Sequence, residues 1–127
     1  MSVVKDKYRG TVAYHLAFAE LVQAARFQGL ATYQQIASVA GLPPSGNYMQ
    51  REVGQLLGEI SEDEHDNGRP MLSALAVDTK GHPGPGFYSL ASGLGARHAG
   101  EDKEAFWSRQ RRALYEAWKA HRAKKAG

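Results

Sequence analysis

The sequence predicts a mostly α-helical fold with a small β wing: a winged helix-turn-helix with extra helices at the N- and C-termini. In several segments apolar residues recur every three or four positions, which is typical of amphipathic helices. A short helix, a glycine-containing turn and a longer helix follow one another, which is the order of a helix-turn-helix. With 127 residues, the chain is predicted to be a single domain over residues 1–127.

The composition excludes several classes of protein. The chain has no cysteine, which excludes disulfides, thiolate zinc sites, iron–sulfur clusters and cysteine nucleophiles. No apolar run approaches the ~20 residues that span a membrane. The first ten residues carry four charged side chains and do not resemble a secretory signal. We therefore expect a cytoplasmic protein with no membrane partner.

The first helix is predicted from Tyr8 to Gln28. Its apolar face includes Val12, Leu16, Ala19 and Val22 at helical spacing. Several alanines favour this helix, and the glycine that follows it is expected to end it.

The helix-turn-helix is predicted over about residues 32–66, and its first helix from Tyr33 to Ala40. Thr32 is the candidate N-cap, and Gln35 stands at the third position after it, as in a capping box. Gly41 is expected to end this helix, because the prolines that follow prevent it from resuming.

A longer helix is predicted to begin at Ser45 or Asn47. Its apolar positions, again at helical spacing, are Met49, Val53, Leu56, Leu57 and Ile60. An acidic run from Glu59 to Asp66 closes it. Since carboxylates repel phosphate, this end of the helix is expected to point away from nucleic acid or to face a protein.

The wing is predicted over about residues 70–88. The apolar run from Met71 to Val77 indicates a strand, and the glycine- and proline-rich run from Asp78 to Gly86 indicates a long turn. The following Phe-Tyr pair either returns as a second short strand or opens a short helix through Leu94.

A final helix is predicted over about residues 102–124, with Phe106, Leu114, Ala117 and Trp118 on one side. From Lys103 to the C-terminus eight basic residues face only two acidic ones, although the whole chain has a net charge of only +3. This asymmetry indicates either contact with an anionic partner or a solvated helix end.

Three short motifs follow one another in the first half of the chain: Thr32-Tyr33-Gln34-Gln35-Ile36-Ala37, Gly41-Leu42-Pro43 and Arg51-Glu52-Val53-Gly54. Together they resemble the DNA-binding half of alkylguanine alkyltransferases and their alkyltransferase-like relatives. That family has a Thr-Tyr-Gly-x-Ile-Ala segment and a following Arg-Ala-Val-Gly helix. The resemblance covers about half of the chain, from Thr32 to Tyr88.

The resemblance implies the winged-helix fold and a third helix that faces DNA. It implies that Arg51 enters the duplex in place of a flipped base and that Tyr33 lies near the lesion. Alkyl transfer to the protein is excluded, because Met71 or a neighbour stands where the family has its reactive cysteine. The histidine and arginine of the family's signature are also replaced, by Leu72 and Ser73.

The start of the longer helix carries the side chains that suit nucleic acid best. Asparagine, glutamine and arginine pair with base edges, and tyrosine reaches phosphate or stacks. The alternative is that these polar residues are simply exposed. The predicted DNA-binding residues are Thr32, Tyr33, Gln34, Ser45, Asn47, Tyr48, Gln50, Arg51, Lys80, Arg122, Lys124 and Lys125.

No catalytic constellation stands out. The five histidines lack metal-ligand spacing, and no nucleophile is paired with a base. The sequence therefore predicts a protein that binds double-stranded DNA without performing chemistry and without a cofactor. The alternative is a protein-interaction module, or a homodimer, built on the same fold.

Overall fold

The computed structural model describes residues 4–119, which form a mostly helical structure with a small two-stranded sheet. The elements are α1 (Val12–Arg26), β1 (Ala31–Thr32), α2 (Tyr33–Ala40), α3 (Gly46–Asp66), a 3-10 helix (Leu72–Leu75), β2 (Ala76–Val77), α4 (Pro85–Leu94) and α5 (Lys103–Trp118). The prediction of a mostly α-helical chain with little β structure is confirmed.

The first helix starts later than predicted. Thr11 is its N-cap, and the Thr11 side chain accepts a hydrogen bond from the backbone amide of Tyr14. Residues 4–10 precede this cap in irregular conformation. The predicted start at Tyr8 is therefore wrong by one helical turn.

The predicted bounds of α2 are confirmed. Thr32 and Gln35 form the expected capping box, with the Thr32 hydroxyl accepting from the Gln35 amide at 3.1 Å and the Gln35 side chain accepting from the Thr32 amide at 2.7 Å. Gly41 ends the helix with a left-handed φ of 79°, a conformation that costs glycine little. Ser45 is the N-cap of α3, one of the two candidates from the sequence.

The predicted strand over Met71–Val77 is wrong for most of its length. Leu72–Leu75 form a 3-10 helix, and only Ala76 and Val77 are strand. These two residues pair in parallel with β1, with Ala31 beside Ala76. The apolar run lacks polar alternation because it is buried on all sides, so periodicity alone could not distinguish a strand from another buried segment.

The segment after the glycine- and proline-rich loop is a helix, which is the second of the two alternatives that the sequence left open. α4 begins with Pro85 at its first turn and ends at Gly95, which has a φ of 75°. The loop from Asp78 to Gly84 therefore connects a strand to a helix, not two antiparallel strands of a wing.

The last helix is shorter than predicted. Asp102 caps α5 by accepting from the Ala105 amide at 3.1 Å, and Lys119 already has non-helical angles. Residues 120–124 of the predicted helix lie outside the described residues.

Side chains of α5 hold the middle of the chain in place. Trp107 Nε1 donates to the carbonyl of Ala74 at 2.8 Å, and the side-chain oxygen of Gln110 accepts from the Met71 amide at 2.9 Å. The Phe106 ring lies fully buried between α4 and α5. Within residues 4–119, no helix is long and apolar enough to cross a membrane.

Candidate functional site

A groove with a cavity volume of about 800 Å³ lies between the starts of α2 and α3 and the segment 77–86. Seven of the predicted DNA-binding residues line it, and we call this cavity the groove. These seven are Thr32, Tyr33, Gln34, Ser45, Asn47, Gln50 and Arg51. The fold therefore gathers on one surface side chains that the sequence only predicts to be functional.

The spacing along α3 explains why these side chains share a surface. Asn47, Gln50, Arg51 and Gly54 stand at helical spacing and line the groove. Val53, one position before Gly54, is fully buried in the core on another side of the helix. The start of α3 is thus amphipathic, with its polar face turned to the groove.

Arg51 has an exposed and weakly held side chain. Its side chain is 69% exposed, and its Nε lies 3.4 Å from Glu52 Oε2. The guanidinium carbon is also 5.4 Å from the centroid of the Tyr48 ring, within cation–π range. Because these contacts are weak, the guanidinium is available to a ligand in or above the groove.

Tyr33 and Gly84 lie in close contact at the wall of the groove that the segment 77–86 forms. A Cβ added at Gly84 would lie 2.6 Å from the Tyr33 hydroxyl oxygen, so only glycine allows this approach. Burial raises the pKa of Tyr33, and a backbone hydrogen bond with Gly84 partly opposes this rise. The Tyr33 hydroxyl therefore stays a neutral hydrogen-bonding group at the edge of the groove.

Two of the predicted residues within the described range lie outside the lining of the groove. Tyr48 is 48% exposed, and its ring contacts the guanidinium of Arg51, which lines the groove. Lys80 is exposed in the turn after β2, where its backbone amide donates to the Asp78 carboxylate at 2.8 Å. The predicted residues Arg122, Lys124 and Lys125 lie outside the described residues.

The sequence did not identify one wall of the groove. Besides Gly84 it is formed by Asp78, Thr79, Pro85 and Gly86. The only sequence signal was the density of glycine and proline, which indicated a turn. Hydrogen bonds from the backbone amides of His82 and Lys80 lower the pKa of Asp78, so its carboxylate is ionised at neutral pH.

The acidic run of α3 is covered by the chain's own N-terminal segment, which we define as residues 4–9. Glu59 is fully buried, and its Oε1 accepts the backbone amides of Lys7, Tyr8 and Arg9 at 2.8–2.9 Å. Arg9 also pairs with Glu62 at 2.7 Å. Arg9 thus offsets part of the negative charge of this run, and the backbone amides stabilise the carboxylate of Glu59.

The same segment reaches Glu52, next to Arg51. The Lys7 ammonium lies 2.5 Å from Glu52 Oε1, and the Tyr8 hydroxyl also donates to this carboxylate. The hydrogen bond from Lys7, followed by that from Tyr8, lowers the pKa of Glu52 to about 2. Glu52 is consequently a paired, ionised group and competes only weakly for Arg51.

Among residues 4–119, no three histidine, aspartate or glutamate side chains are grouped so as to hold a metal ion. The groove offers hydrogen-bonding side chains, the exposed guanidinium of Arg51, the ionised carboxylate of Asp78 and apolar side chains such as Met49 and Val77. No protein-family model, curated protein or solved structure matches this chain.

Proposed function

We propose that this protein binds double-stranded DNA through a helix-turn-helix formed by α2 and α3, without performing chemistry. The observation that carries the proposal is the groove, where polar residues from the starts of both helices converge. The start of the second helix of such a pair is the part that contacts base edges in known complexes. In this orientation the segment 77–86 would take the place of a wing.

The side chains on α3 suit base recognition. Arginine pairs with guanine in two hydrogen bonds, and asparagine or glutamine pairs in the same way with adenine. Asn47, Gln50 and Arg51 supply these three types on one helical face. The exposed Lys80 and the basic residues near the C-terminus would hold phosphates, which position a duplex without selecting its sequence.

Ion pairs on three carboxylates of α3 support this orientation of the helix. Unpaired carboxylates beside Arg51 would repel a phosphate backbone. Glu52 is bound by Lys7, and Glu62 by Arg9. Arg69 pairs in turn with the buried Glu64 at 2.6 Å. These pairs reduce the repulsion that an anionic partner would meet along α3.

The lining of the groove agrees with what the resemblance to alkyltransferase-like proteins implies. That resemblance implies an arginine inserted into the duplex and a tyrosine near the displaced base. Arg51 and Tyr33 both line the cavity of about 800 Å³. We extend the proposal to these two residues, with Arg51 entering the duplex and Tyr33 facing the displaced base.

Substitution of Arg51 by alanine tests the proposal. We expect Arg51→Ala to lower DNA affinity by roughly 1–3 kcal/mol, because a base contact of this strength is lost. The fold should remain intact, since the side chain is exposed. Affinity is measured by fluorescence anisotropy with a synthetic duplex at matched salt.

Arg26→Ala is the matched control for this measurement. Arg26 is an exposed arginine at the end of α1 and does not line the groove. If Arg51→Ala and Arg26→Ala weaken binding equally, Arg51 makes no specific contact. Absence of salt-dependent duplex binding by the parent protein would refute the function itself.

Binding of a protein partner is the second candidate function. Val12 and Leu16 stand one turn apart on α1 and are 72% and 46% exposed. Adjoining exposed apolar side chains favour contact with another protein. A second copy of the chain would be the simplest such partner.

Neutralising the C-terminal charges separates the two candidates. With Arg122, Lys124 and Lys125 replaced by glutamine, each lost phosphate contact should reduce the slope of log affinity against log salt by ~0.9. The reduction should be similar for unrelated duplex sequences. If the slope is unchanged but the parent's self-association in sedimentation velocity is lost, the protein-binding candidate is preferred.

A further inference from the structure

The basic residues of α5 differ in how they are held. Arg109 is bound to Glu101 at 2.8 Å and also donates to the carbonyl of Ala96. Lys119 pairs with Glu116. Arg111, in contrast, has no carboxylate partner within residues 4–119, and its Nε is buried without a hydrogen-bond partner. Its positive charge is therefore not neutralised by the described part of the protein.

Arg111 is nevertheless fixed in position. Its guanidinium carbon lies 4.1 Å from the centroid of the Trp107 ring, the shortest of the cation–π contacts described in this molecule. The indole is itself immobile, because it is buried and its Nε1 donates to the Ala74 carbonyl. A planar guanidinium stacked on a rigid ring loses less conformational entropy when it binds an anion.

The stack of Arg111 on Trp107 contacts the loop that forms one wall of the groove. The ring of His82 is 5.8 Å from the ring of Trp107. His82 belongs to the loop between β2 and α4, and Asp78, Thr79 and Gly84 of the same loop line the groove. The loop therefore connects the stack to the wall of the groove.

We propose that Arg111, held on Trp107, binds a backbone phosphate of the duplex that occupies the groove. This inference rests on the proposed function and adds a residue that neither the helical pattern nor the resemblance singles out. The partner's chemistry follows from the site, since an unpaired guanidinium fits a phosphodiester in two hydrogen bonds. The contact carries no sequence information and positions the DNA against α3.

The test compares Arg111→Gln with Arg112→Gln in salt titrations with two duplexes of unrelated sequence. Arg112 is the neighbouring residue on α5, is exposed, and points about 100° away around the helix. We expect Arg111→Gln to reduce the log–log salt slope by ~0.9 for both duplexes, whereas Arg112→Gln should leave it nearly unchanged.

Arg111→Lys provides the second variant. It keeps the charge but loses the planar stack and the paired donors. We expect it to retain most of the salt slope while binding more weakly than the parent. Thermal melting of all three variants checks that the fold is kept. Arg112→Gln should melt with the parent, because its side chain is exposed. The two Arg111 variants should melt slightly below the parent, because they lose the stack on Trp107.

The outcomes separate the inference from the function on which it rests. If the parent binds DNA and Arg51→Ala weakens binding, but Arg111→Gln and Arg112→Gln behave alike, the role of Arg111 is wrong and the proposed function stands. If the parent shows no salt-dependent binding to either duplex, both are wrong.

Discussion

Replacement of Glu59 by alanine is expected to lower the free energy of unfolding by about 3 kcal/mol, because three backbone amides lose their acceptor. Each such loss costs roughly 1–3 kcal/mol where water cannot replace the acceptor. The amides belong to Lys7, Tyr8 and Arg9. The side-chain amide of Gln55, whose Nε2 donates to Glu59 Oε2 at 3.0 Å, also loses its acceptor. Denaturant unfolding with an unchanged m-value measures the effect.

Asp66→Ala is the matched control for Glu59→Ala. Asp66 is the exposed last residue of the same helix, so its removal should change stability by no more than about 0.5 kcal/mol. Trypsin digestion supplies a second readout, because release of the N-terminal segment exposes its lysines and Arg9. Equal unfolding midpoints for Glu59→Ala and Asp66→Ala would contradict the structural role of Glu59.

Phe106→Ala is expected to destabilise the fold by about 3–5 kcal/mol, the range for a large buried aromatic side chain cut to a methyl group. Phe106 is fully buried. Its ring centroid lies 5.3 Å from that of Phe87 and 6.4 Å from that of Tyr88, both on α4. Alanine would leave a cavity between α4 and α5, so the two helices would lose the ring contacts that join them.

Arg112→Ala is the control on the same helix, since this exposed side chain has no role in the core and should cost less than about 0.5 kcal/mol. Calorimetry or denaturant unfolding distinguishes the two variants. A loss below about 1 kcal/mol for Phe106→Ala would mean that α5 is not docked through this ring.

The helices were largely predictable because their signals are local. The bounds of α2 follow from Thr32, Gln35 and Gly41, which stand within or beside the helix that they define. The end of α3 likewise coincides with the end of the acidic run. Capping and periodicity involve neighbours in sequence, so one chain contains the information needed.

The small sheet was not predictable because its partner is distant in sequence. Strands of two residues show no alternation, and Ala76 finds its partner in Ala31, 45 residues away. The Gly-Pro loop was recognised as a turn, and a helix after it was one of the two alternatives. Nothing local indicated that the loop lines the groove.

The sequence was enough to predict the polar side chains of the candidate site, but not the contacts that surround them. Asn47, Gln50 and Arg51 were identified from their chemistry near a helix start. The burial of Glu59 was not predicted from the sequence, because its partners are backbone amides, which every residue except proline carries. The stack of Arg111 on Trp107 follows helical i, i+4 spacing, and that signal could have been used.

The parallel pairing of β1 with β2 has a consequence for how the groove forms in time. The walls of the groove come from residues near 32, near 50 and near 80, and the strand pair closes a loop of 45 residues between Ala31 and Ala76. Closing such a loop costs chain entropy that only the later, long-range contacts repay. α2 and α3 can therefore form early, while the concave surface between them and the loop is assembled among the last steps of folding.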